Sequence, residues 1–545
     1  MLIKIKVYKD LAADPQEREI EAGCTIEELL GEYRSHLQNR VITARVDGDD
    51  VSLAYKLDKD CEVVFCDIRD DMANRSFQRG LTLLYLKAIS DLYGGRAKVL
   101  IRNSVNRGIF TTIEFDPNGD VTEGDGLVTP SVTPRDDDLR QIEKRMWRLV
   151  DANLPIEDMG GGVYRLDGYT NSFYGLMPAS TGCVCPFALE LMRGGVLLRF
   201  PHPTDPGKLA FYRRDAKIFD AYDEEQDFLD ALKLGFIGDL NRQIDAGPEA
   251  AAEIIRIAEF RHVSRIKELA KKIVESGKRV VLIAGPSSSG KTTFSKRLIE
   301  AIAANGVPTP FYLGTDDYFV EREFTPRDKK GEYNYEGLDA MDVELFERNI
   351  EELLSGKTAD LPKYDFISGK KAFGVRECKL EKGQVIVVEG IHALNKKMTV
   401  DIGDGVKYKI YISPLTQLNI DDHNRVPSTD VRLIRRMVRD NRTRGNSVAD
   451  TIRQWPKVRA GESVNIFPYN NEADEIFNST LIYELPVLKK YTVPLLEAIQ
   501  PGEAAYGHAK WLLYFLSLFR AIEDESAIPP DSLLREFIGD GRFGP

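Results

Sequence analysis

Residues 280–298 read VVLIAGPSSSGKTTFSKRL, and this stretch decides the fold of the C-terminal half of the chain. The unbroken apolar run 280–284 is typical of a buried parallel strand. The loop that follows has the spacing G-x-x-x-x-G-K-[ST], and the residues after it have helical periodicity. A strand, a glycine-rich turn and a helix in this order predict a loop whose backbone N–H groups bind phosphate at a helix N-terminus.

The loop predicts a site for a nucleoside triphosphate and Mg²⁺. Lys291 can reach the outer phosphates, and the hydroxyl of Thr292 suits Mg²⁺. The other members of the site supply the tight turn or backbone N–H groups: Gly285, Pro286, Ser287, Ser288, Ser289, Gly290 and Thr293. A chance glycine-rich loop is the alternative, but the complete spacing and its flanking elements favour the nucleotide site.

The composition is typical of a multidomain globular protein. The length of 545 residues exceeds what one core supports, so we expect three or four domains. A net charge of −12 disfavours duplex nucleic acid as a partner. Six cysteines in so long a chain indicate reduced thiols and a cytoplasmic location. We predict no signal peptide, because residues 1–10 carry three lysines in strand-like alternation and no long apolar core. We predict no membrane span, because the longest apolar run, 511–519, is far too short.

Sequence patterns divide the chain into five predicted segments. The predicted boundaries are a β-rich module at 1–68, an α+β region at 69–235, a helical connector at 236–278, an α/β domain at 279–510 and a helical tail at 511–545. In the α/β domain, apolar runs at 280–284, 310–313, 385–388 and 408–412 predict a parallel sheet with helices on both faces. The nucleotide is expected at the carboxyl ends of these strands.

The first two segments resemble parts of threonyl-tRNA synthetases. The segments GCTIEELL and VDGDDVSLAYKLDKDCEV in residues 1–68 are similar to the small β-grasp module, called TGS, that opens these synthetases and some GTPases. Residues 69–235 resemble the second additional domain that follows the module there. That domain uses an H-x-x-x-H pair for editing, whereas residues 76–80 contain no histidine. The resemblance therefore implies a fold and not an editing activity.

Two predicted strands of the α/β domain end in acidic residues. Asp316 follows the second strand in GTDDY, where a carboxylate can accept a proton from an attacking hydroxyl. A turn capped by Asp316 and Asp317 is the alternative. Glu389 closes the run 385–388, a position suited to binding Mg²⁺ directly or through water. Its alternative is a carboxylate at a helix N-terminus.

A basic helix is predicted over residues 429–444, TDVRLIRRMVRDNRTR. Arg432, Arg435, Arg436 and Arg439 have the spacing of one helical face. Like charges at this spacing repel, and a polyphosphate would relieve the repulsion. A solvated face paired with surface acids is the alternative. We favour a clamp for anions, because phosphoryl transfer requires one and the glycine-rich loop alone does not supply it.

Six motifs occur in one order across residues 279–510. They are GPSSSGKTT, LGTDDYF, YNYEGLDAMD, LPKYDF, VIVVEGIHAL and RLIRRMVRDNRTRG. Together they resemble the uridine kinase and phosphoribulokinase family of P-loop kinases. The resemblance implies ATP and Mg²⁺ as cofactors, served by Lys291, Thr292 and Glu389. It implies that Asp316 is the base that activates a sugar 5′-hydroxyl, and that it lies next to the metal.

The resemblance also implies an acceptor site and a lid. Glu336 stands where uridine kinases carry an Asp and would bind the ribose hydroxyls. Tyr364 would contact the base, and Tyr318 belongs to the same expected site. Three arginines would form the lid over the phosphates: Arg436, Arg439 and Arg444. Arg439 is also expected to be catalytic and to contact the substrate.

We therefore predict an ATP-dependent nucleoside kinase for uridine or cytidine, acting in pyrimidine salvage. Two departures leave the acceptor open: residues after the YDF motif lack the histidine of uridine kinases, and residues 455–485 are longer than their counterpart. One alternative is a kinase of a purine nucleoside, a sugar phosphate or another small alcohol. The other is an RNA- or tRNA-linked regulator that uses the loop as a nucleotide switch. Kinases of the family that this chain resembles often self-associate, which leaves the oligomeric state open between a monomer and a homo-oligomer.

Overall fold

The chain forms two compact units. The computed structural model describes residues 1–9, 14–105, 108–115, 133–203, 205–209, 216–328 and 331–544. The first unit contains Met1–Arg214, Gln417–Val426 and Leu496–Phe515. The second contains Asp215–Thr416, Pro427–Leu495 and Leu516–Pro545. Within the described ranges, no helix combines the length and apolarity needed to cross a membrane.

The N-terminal half is rich in strands. The strands are β1 Leu2–Tyr8, β2 Gln16–Glu21, β3 Cys24–Thr25, β4 Val41–Val46, β5 Asp49–Val51, β6 Lys56–Leu57, β7 Cys61–Asp67, β8 Ala97–Val105, β9 Gly108–Phe115, β10 Glu157–Asp158, β11 Val163–Leu166, β12 Tyr169–Ser172, β13 Ala188–Met192, β14 Gly195–Arg199, β15 Pro201–His202 and β16 Asp205–Leu209. The helices are α1 Ile26–Tyr33, α2 Asp71–Tyr93 and α3 Asp136–Asp151.

Alternating burial organises the first sheet, whose order is β2-β1-β7-β4-β5. In β1 the side chains of Ile3, Ile5 and Val7 are buried and their neighbours are exposed, as expected for a strand with one face on a core. The spacing of Thr25 and Glu28 predicts a capping box at the start of a helix that reaches Leu37. The capping box is present at the start of α1. The helix ends at Tyr33 and not at Leu37, because the chain tightens there into a 3₁₀ turn.

A second sheet of the first unit has the order β13-β14-β9-β8 and packs with α2 and α3 around a separate apolar core. The apolar periodicity of residues 72–93 predicts a helix that ends at Gly94 and Gly95. Helix α2 confirms it and ends before Gly94, whose φ is 60°. Residues 417–426 belong to this unit because their backbone extends β8. The N–H of Ile101 donates to the carbonyl of Asp422 at 2.8 Å.

The C-terminal half alternates strands and helices. Its helices are α4 Ala216–Leu232, α5 Ile237–Asp245, α6 Pro248–Ser276, α7 Lys291–Ala303, α8 Val343–Leu354, α9 Ser428–Arg444, α10 Val448–Asn465, α11 Glu484–Glu497, α12 Tyr506–Ser517 and α13 Arg535–Ile538. Its strands are β17 Val280–Ala284, β18 Phe311–Gly314, β19 Ala359–Asp360, β20 Lys363–Asp365, β21 Lys370–Ala372, β22 Glu377–Cys378, β23 Ile386–Glu389, β24 Lys407–Ser413 and β25 Glu475–Asn478.

Five parallel strands form the main sheet of the second unit, in the order β18-β23-β17-β24-β25. The four predicted strands are confirmed, and β17 is buried along its whole length. The edge strand β25 was not predicted, because its sequence EIFN is polar at both ends and lacks the apolar run that marks the other four strands. Glu389 pairs in register with Ile283 and with Gly314, so β17, β18 and β23 end at one edge.

The tail is less helical than predicted for residues 511–545. Helix α12 ends at Ser517, and beyond it the described chain forms one further short helix, α13. Consecutive prolines, Pro529 and Pro530, lack the N–H groups that a helix interior requires. The intervening chain is nevertheless packed, since Leu533 and Phe537 are fully buried.

Candidate active site

The glycine-rich loop joins β17 to α7 and has the backbone geometry of a phosphate cradle. A Cβ atom at Gly285 would lie 2.0 Å from the carbonyl oxygen of Ile412, so only glycine allows this approach to β24. Gly290 has a φ of 86° and Ser288 a φ of 59°, a conformation that non-glycine residues seldom adopt. Such strained residues are concentrated at ligand sites.

Lys291 and Thr292 start helix α7 at the end of this loop. The Nζ of Lys291 donates to the carbonyl oxygens of Gly285 and Pro286, each at 3.1 Å. The hydroxyl of Thr292 lies 3.3 Å from a carboxylate oxygen of Glu389. The hydroxyl of Tyr312 donates to the same oxygen at 2.9 Å. The structure thus brings the strand-end carboxylate of β23 to the first turn of the helix.

Asp316 lies just beyond the end of β18, at the same edge of the sheet. Its side chain remains accessible to solvent, although surrounding protein atoms crowd it. This crowding raises the pKa of the Asp316 carboxyl, while the charges of Lys291, Arg444 and Arg439 act in the opposite direction. Burial likewise raises the pKa of Glu389, again opposed by Lys291.

Asp317 has a different environment from its neighbour. Its carboxylate pairs with Lys363 at 3.1 Å and with Arg376 at 3.4 Å, and it accepts a hydrogen bond from the backbone N–H of Tyr364. These bonds tie the turn after β18 to β20. Asp317 is therefore a structural residue, which leaves Asp316 as the free carboxylate of the pair.

Glu336 lies beside an aromatic cluster formed by Phe319, Tyr333, Tyr335, Tyr364 and Phe366. Ring centroids of Phe319 and Tyr335 are 5.5 Å apart, and those of Tyr364 and Phe366 are 5.0 Å apart. Burial raises the pKa of Glu336 to about 7, and the charge of Glu462 contributes to the rise. The charges of Lys291 and Asp316 also act on Glu336, so it lies within electrostatic reach of the loop.

Tyr318 does not join this cluster. Its side chain is fully buried, its ring packs on Phe346 with centroids 5.2 Å apart, and its hydroxyl donates to Asn349 at 3.0 Å. Both partners lie on α8. The expected substrate contact is therefore corrected: Tyr318 is a core residue, because the 3₁₀ turn Thr315–Tyr318 directs its side chain toward α8.

Two of the four aligned arginines of α9 are structural. Arg432 is buried and pairs with Glu462, and its guanidinium donates to the carbonyl of Ser287 at 3.2 Å. Arg435 is buried and pairs with Glu484. A buried charge requires a partner of opposite sign, which explains both acids. The basic face of α9 thus includes residues that support the loop as well as residues that face the cleft.

The remaining arginines surround the buried Asp440. Arg436 pairs with it at 3.2 Å, Arg439 at 2.8 Å and Arg444 at 3.6 Å. Arg436 also donates to the hydroxyl of Ser287 in the loop at 2.9 Å. The charge of Asp316 also acts on Arg439 and Arg444, and that of Glu336 acts on Arg436, so each of the three guanidinium groups lies within electrostatic reach of one of these carboxylates.

Two carboxylates bind the loop amides, and sequence reasoning missed both. The N–H of Ser287 donates to Glu462 on α10 at 2.9 Å, and the N–H of Thr293 donates to Glu536 on α13 at 3.1 Å. Burial alone would raise the pKa of Glu462, but Arg432 and Arg459 hold it below its usual value. Neither acid lies in a recognisable motif, although Glu462 lies inside the unusual stretch 455–485.

Comparison with known proteins agrees with this arrangement. A family model for the "Phosphoribulokinase / Uridine kinase family" matches residues 280–483. A uridine kinase of Deinococcus deserti is 30% identical over 176 residues, which are 32% of this chain and 75% of that protein. This chain belongs to the phosphoribulokinase and uridine kinase family. It is therefore a phosphotransferase that acts on a hydroxyl acceptor and binds a nucleotide.

Other relatives of this family member show the same partial coverage. A uridine kinase of Staphylococcus aureus (strain JH9) is 31% identical over 179 residues, which are 33% of this chain and 76% of that protein. A solved structure described as a possible uridine kinase from Bacillus stearothermophilus is 23% identical and has a TM-score of 0.28. The match covers 40% of this chain and 99% of that one.

Proposed function

We propose that this family member is an ATP- and Mg²⁺-dependent kinase that phosphorylates the 5′-hydroxyl of a ribonucleoside, uridine or cytidine. One observation carries the proposal. The exposed Asp316 follows β18 at the sheet edge where Glu389 meets Thr292 of the loop, and Lys291 and Glu336 lie close enough for their charges to interact with its carboxylate. A general base that lies between the phosphate donor and an aromatic site suits a substrate in which the attacking alcohol is attached to a flat nucleobase.

Binding of ATP begins at the loop, from residue 285 to residue 293. The inward N–H groups and the α7 N-terminus attract the phosphates. Lys291 now donates to two backbone carbonyls, and we propose that it exchanges them for the outer phosphates. This exchange replaces two neutral acceptors by an anionic one, which adds charge attraction to the hydrogen bonds of the Lys291 ammonium.

The oxygen atoms beside the loop fit Mg²⁺. Thr292 and Glu389 present a hydroxyl and a carboxylate 3.3 Å apart, and Mg²⁺ prefers such hard ligands together with water and substrate phosphates. Among the described residues, no group of three His, Cys, Asp or Glu side chains could hold a metal alone, which agrees with a site completed by ATP. Asp316 would lie next to the ion. When bound, Mg²⁺ neutralises phosphate charge.

The acceptor alcohol is expected between Asp316 and the loop. Asp316 takes the proton of the 5′-hydroxyl onto its carboxylate as the oxygen attacks the terminal phosphorus; the bond from that phosphorus to the bridging oxygen breaks, and ADP leaves with the bond's electron pair. The raised pKa of Asp316 favours acceptance of the proton. Arg436, Arg439 and Arg444 supply positive charge against the charge that builds on the transferred group. The reaction then depends mainly on positioning and charge neutralisation.

Glu336 and the aromatic cluster are proposed to bind the nucleoside. An ionised carboxylate accepts hydrogen bonds from two neighbouring ribose hydroxyls, and aromatic rings stack on a flat base. Tyr364 is buried and packs against Phe319 and Phe366, so it would form the floor of the pocket for the nucleobase. The matching family and the uridine kinase relatives support a pyrimidine base.

Acceptor binding should depend on pH near neutrality. Because burial raises the pKa of Glu336 to about 7, this carboxyl takes up a proton as the pH falls through 7 and then loses its capacity to accept two hydroxyls. We expect KM for uridine to rise from pH 8 to pH 6. Glu336→Gln should show a high KM that does not change over this range. A steep pH dependence in the variant would assign the effect to another group.

A panel of acceptors tests the proposed substrate. ADP release from ATP and Mg²⁺ is measured with uridine, cytidine, adenosine, guanosine, ribose 5-phosphate and pantothenate. We expect the largest kcat/KM with uridine or cytidine and none with 5′-deoxyuridine, which lacks the attacking hydroxyl. Preferred turnover of a purine nucleoside or sugar phosphate would keep the kinase and reject the pyrimidine acceptor.

The N-terminal half is proposed to contain the two modules that its sequence resembles. The order β2-β1-β7-β4-β5, with β1 parallel to β7, supports a β-grasp module at residues 1–68. We further propose a synthetase-like domain at 69–235, a connector at 236–278, the kinase domain at 279–510 and a tail at 511–545. Six free cysteines support a reducing compartment such as the cytoplasm.

A further inference from the structure

The last part of the chain lies on the phosphate loop. We call residues 528–543 the C-terminal strap; they follow the region that matches the family model. Leu533 packs over Gly290, where a Cβ atom would lie 3.1 Å from a methyl carbon of Leu533. Glu536 accepts the N–H of Thr293 at 3.1 Å, within the first turn of α7. The strap therefore covers the end of the loop where α7 begins.

The strap is held on both sides of this contact. Arg442 of α9 donates to the carbonyl of Phe537 at 3.3 Å, and the guanidinium of Arg435 lies 5.1 Å from the centre of the Phe537 ring. Lys296 of α7 donates to the carbonyl of Phe543 at 2.7 Å. The strap thus touches the helix that follows the loop and the arginine helix, so Glu536 is placed by a packed segment.

Glu536 occupies a position that a nucleotide requires. In a loop of this spacing the N–H groups at the start of the helix bind phosphate oxygens. The N–H of Thr293 cannot donate fully to a carboxylate and to a phosphate together, and two anions at one helix end repel each other. Glu536 also acts electrostatically on Glu389, so its charge reaches the expected metal side of the site.

We propose that Glu536 is a built-in competitor of the nucleotide, which lowers nucleotide affinity until its carboxylate leaves the amide of Thr293. Only the side chain has to move, since Leu533 and Phe537 anchor the strap by full burial. The inference depends on nucleotide binding by the loop and not on which alcohol is phosphorylated. It assigns to this chain a control of ATP affinity located outside residues 280–483, the region that matches the family model.

The test measures binding of ADP to the full-length chain by calorimetry, without Mg²⁺ so that metal ligation does not contribute. Glu536→Ala removes the competing anion and should bind ADP about tenfold more tightly. ADP no longer has to displace a charged hydrogen-bond partner from the N–H of Thr293, and a tenfold change in Kd corresponds to the free energy of about one such bond. Glu536→Gln keeps the shape without the charge and should lie between the two. Glu523→Ala, an exposed acid shortly before the strap, should match the wild type.

Three outcomes would overturn the proposal. Unchanged ADP affinity in both Glu536 variants would mean that the carboxylate does not compete. Weaker binding would mean that it helps to hold the nucleotide. Absence of ADP binding in the wild type and in both Glu536 variants would overturn it together with the nucleotide role of the loop, whereas inactivity toward every acceptor with intact ADP binding would affect only the proposed substrate.

Discussion

Asp316→Asn should lower kcat by about 10²–10⁴-fold, the range expected when a general base is lost. The amide has the size of the carboxylate but cannot take the proton of the attacking hydroxyl. ATP affinity should change little, because the loop amides and Lys291 stay in place. The measurement is single-turnover phosphorylation of uridine, with ATP binding determined separately. A variant with near-normal turnover would exclude Asp316 as the base.

Asp317→Asn is the matched comparison for this experiment. Both aspartates lie in one turn, but Asp317 is bound by Lys363 and Arg376. Its loss should lower thermal stability while kcat per folded molecule stays within a few-fold of the wild type. Equal loss of kcat in both variants would point to damage of the turn and not to proton transfer.

Lys291→Ala should lower kcat/KM for ATP by about 10²–10³-fold, the effect of removing one preorganised cation from a developing charge. In the ligand-free loop Lys291 donates to carbonyls of residues 285 and 286, so its removal leaves two acceptors that water can satisfy. The fold should therefore persist, which circular dichroism and the midpoint of thermal unfolding can verify. Initial rates at varied ATP give the kinetic constants.

Lys382→Ala provides the control for Lys291, since Lys382 is an exposed lysine in a turn before β23. It should leave every kinetic constant unchanged. If Lys291→Ala also kept its kcat/KM for ATP, the glycine-rich loop would not be the phosphate site. The position of Asp316 near this loop would then no longer support a role as the general base.

Four strands of the main sheet could be predicted because each has an apolar run that is visible in its own sequence. Residues 280–284 are apolar without interruption, as a strand buried on both faces requires. The glycine-rich spacing that follows is typical of one loop conformation. Glu389 and Asp316 could be placed near the loop for the same reason: parallel strands end at a common edge. Edge strand β25 escaped prediction because its short sequence lacks that apolar run.

The partners of buried charges could not be predicted from local patterns. Arg432 and Arg436 look equivalent on a helical wheel, yet the first pairs with Glu462 in the interior and the second reaches the loop hydroxyl of Ser287. Which acid meets which arginine depends on tertiary packing between residues far apart in sequence. Glu536 is the clearest case, because it meets Thr293 from 243 residues away.

The direction of the Tyr318 side chain also could not be predicted from the sequence, although only neighbouring residues are involved. Tyr318 lies two residues after Asp316, and its neighbourhood in the motif suggested the substrate site. The 3₁₀ turn after β18 instead directs Tyr318 into the core toward Asn349, while Asp316 keeps its solvent-accessible face. A change of direction within such a turn depends on backbone geometry that no residue pattern specifies.

The central claim is that a carboxylate facing the phosphate loop removes the proton of the acceptor alcohol. Its most direct test is a crystal structure of the full-length chain with uridine, Mg²⁺ and an ATP analogue that cannot transfer its terminal phosphate. We predict that a carboxylate oxygen of Asp316 lies within about 2.6–3.2 Å of the ribose 5′-oxygen, with that oxygen facing the terminal phosphate. A bound uridine whose 5′-oxygen faces away from Asp316, or contacts a different base, would contradict the account.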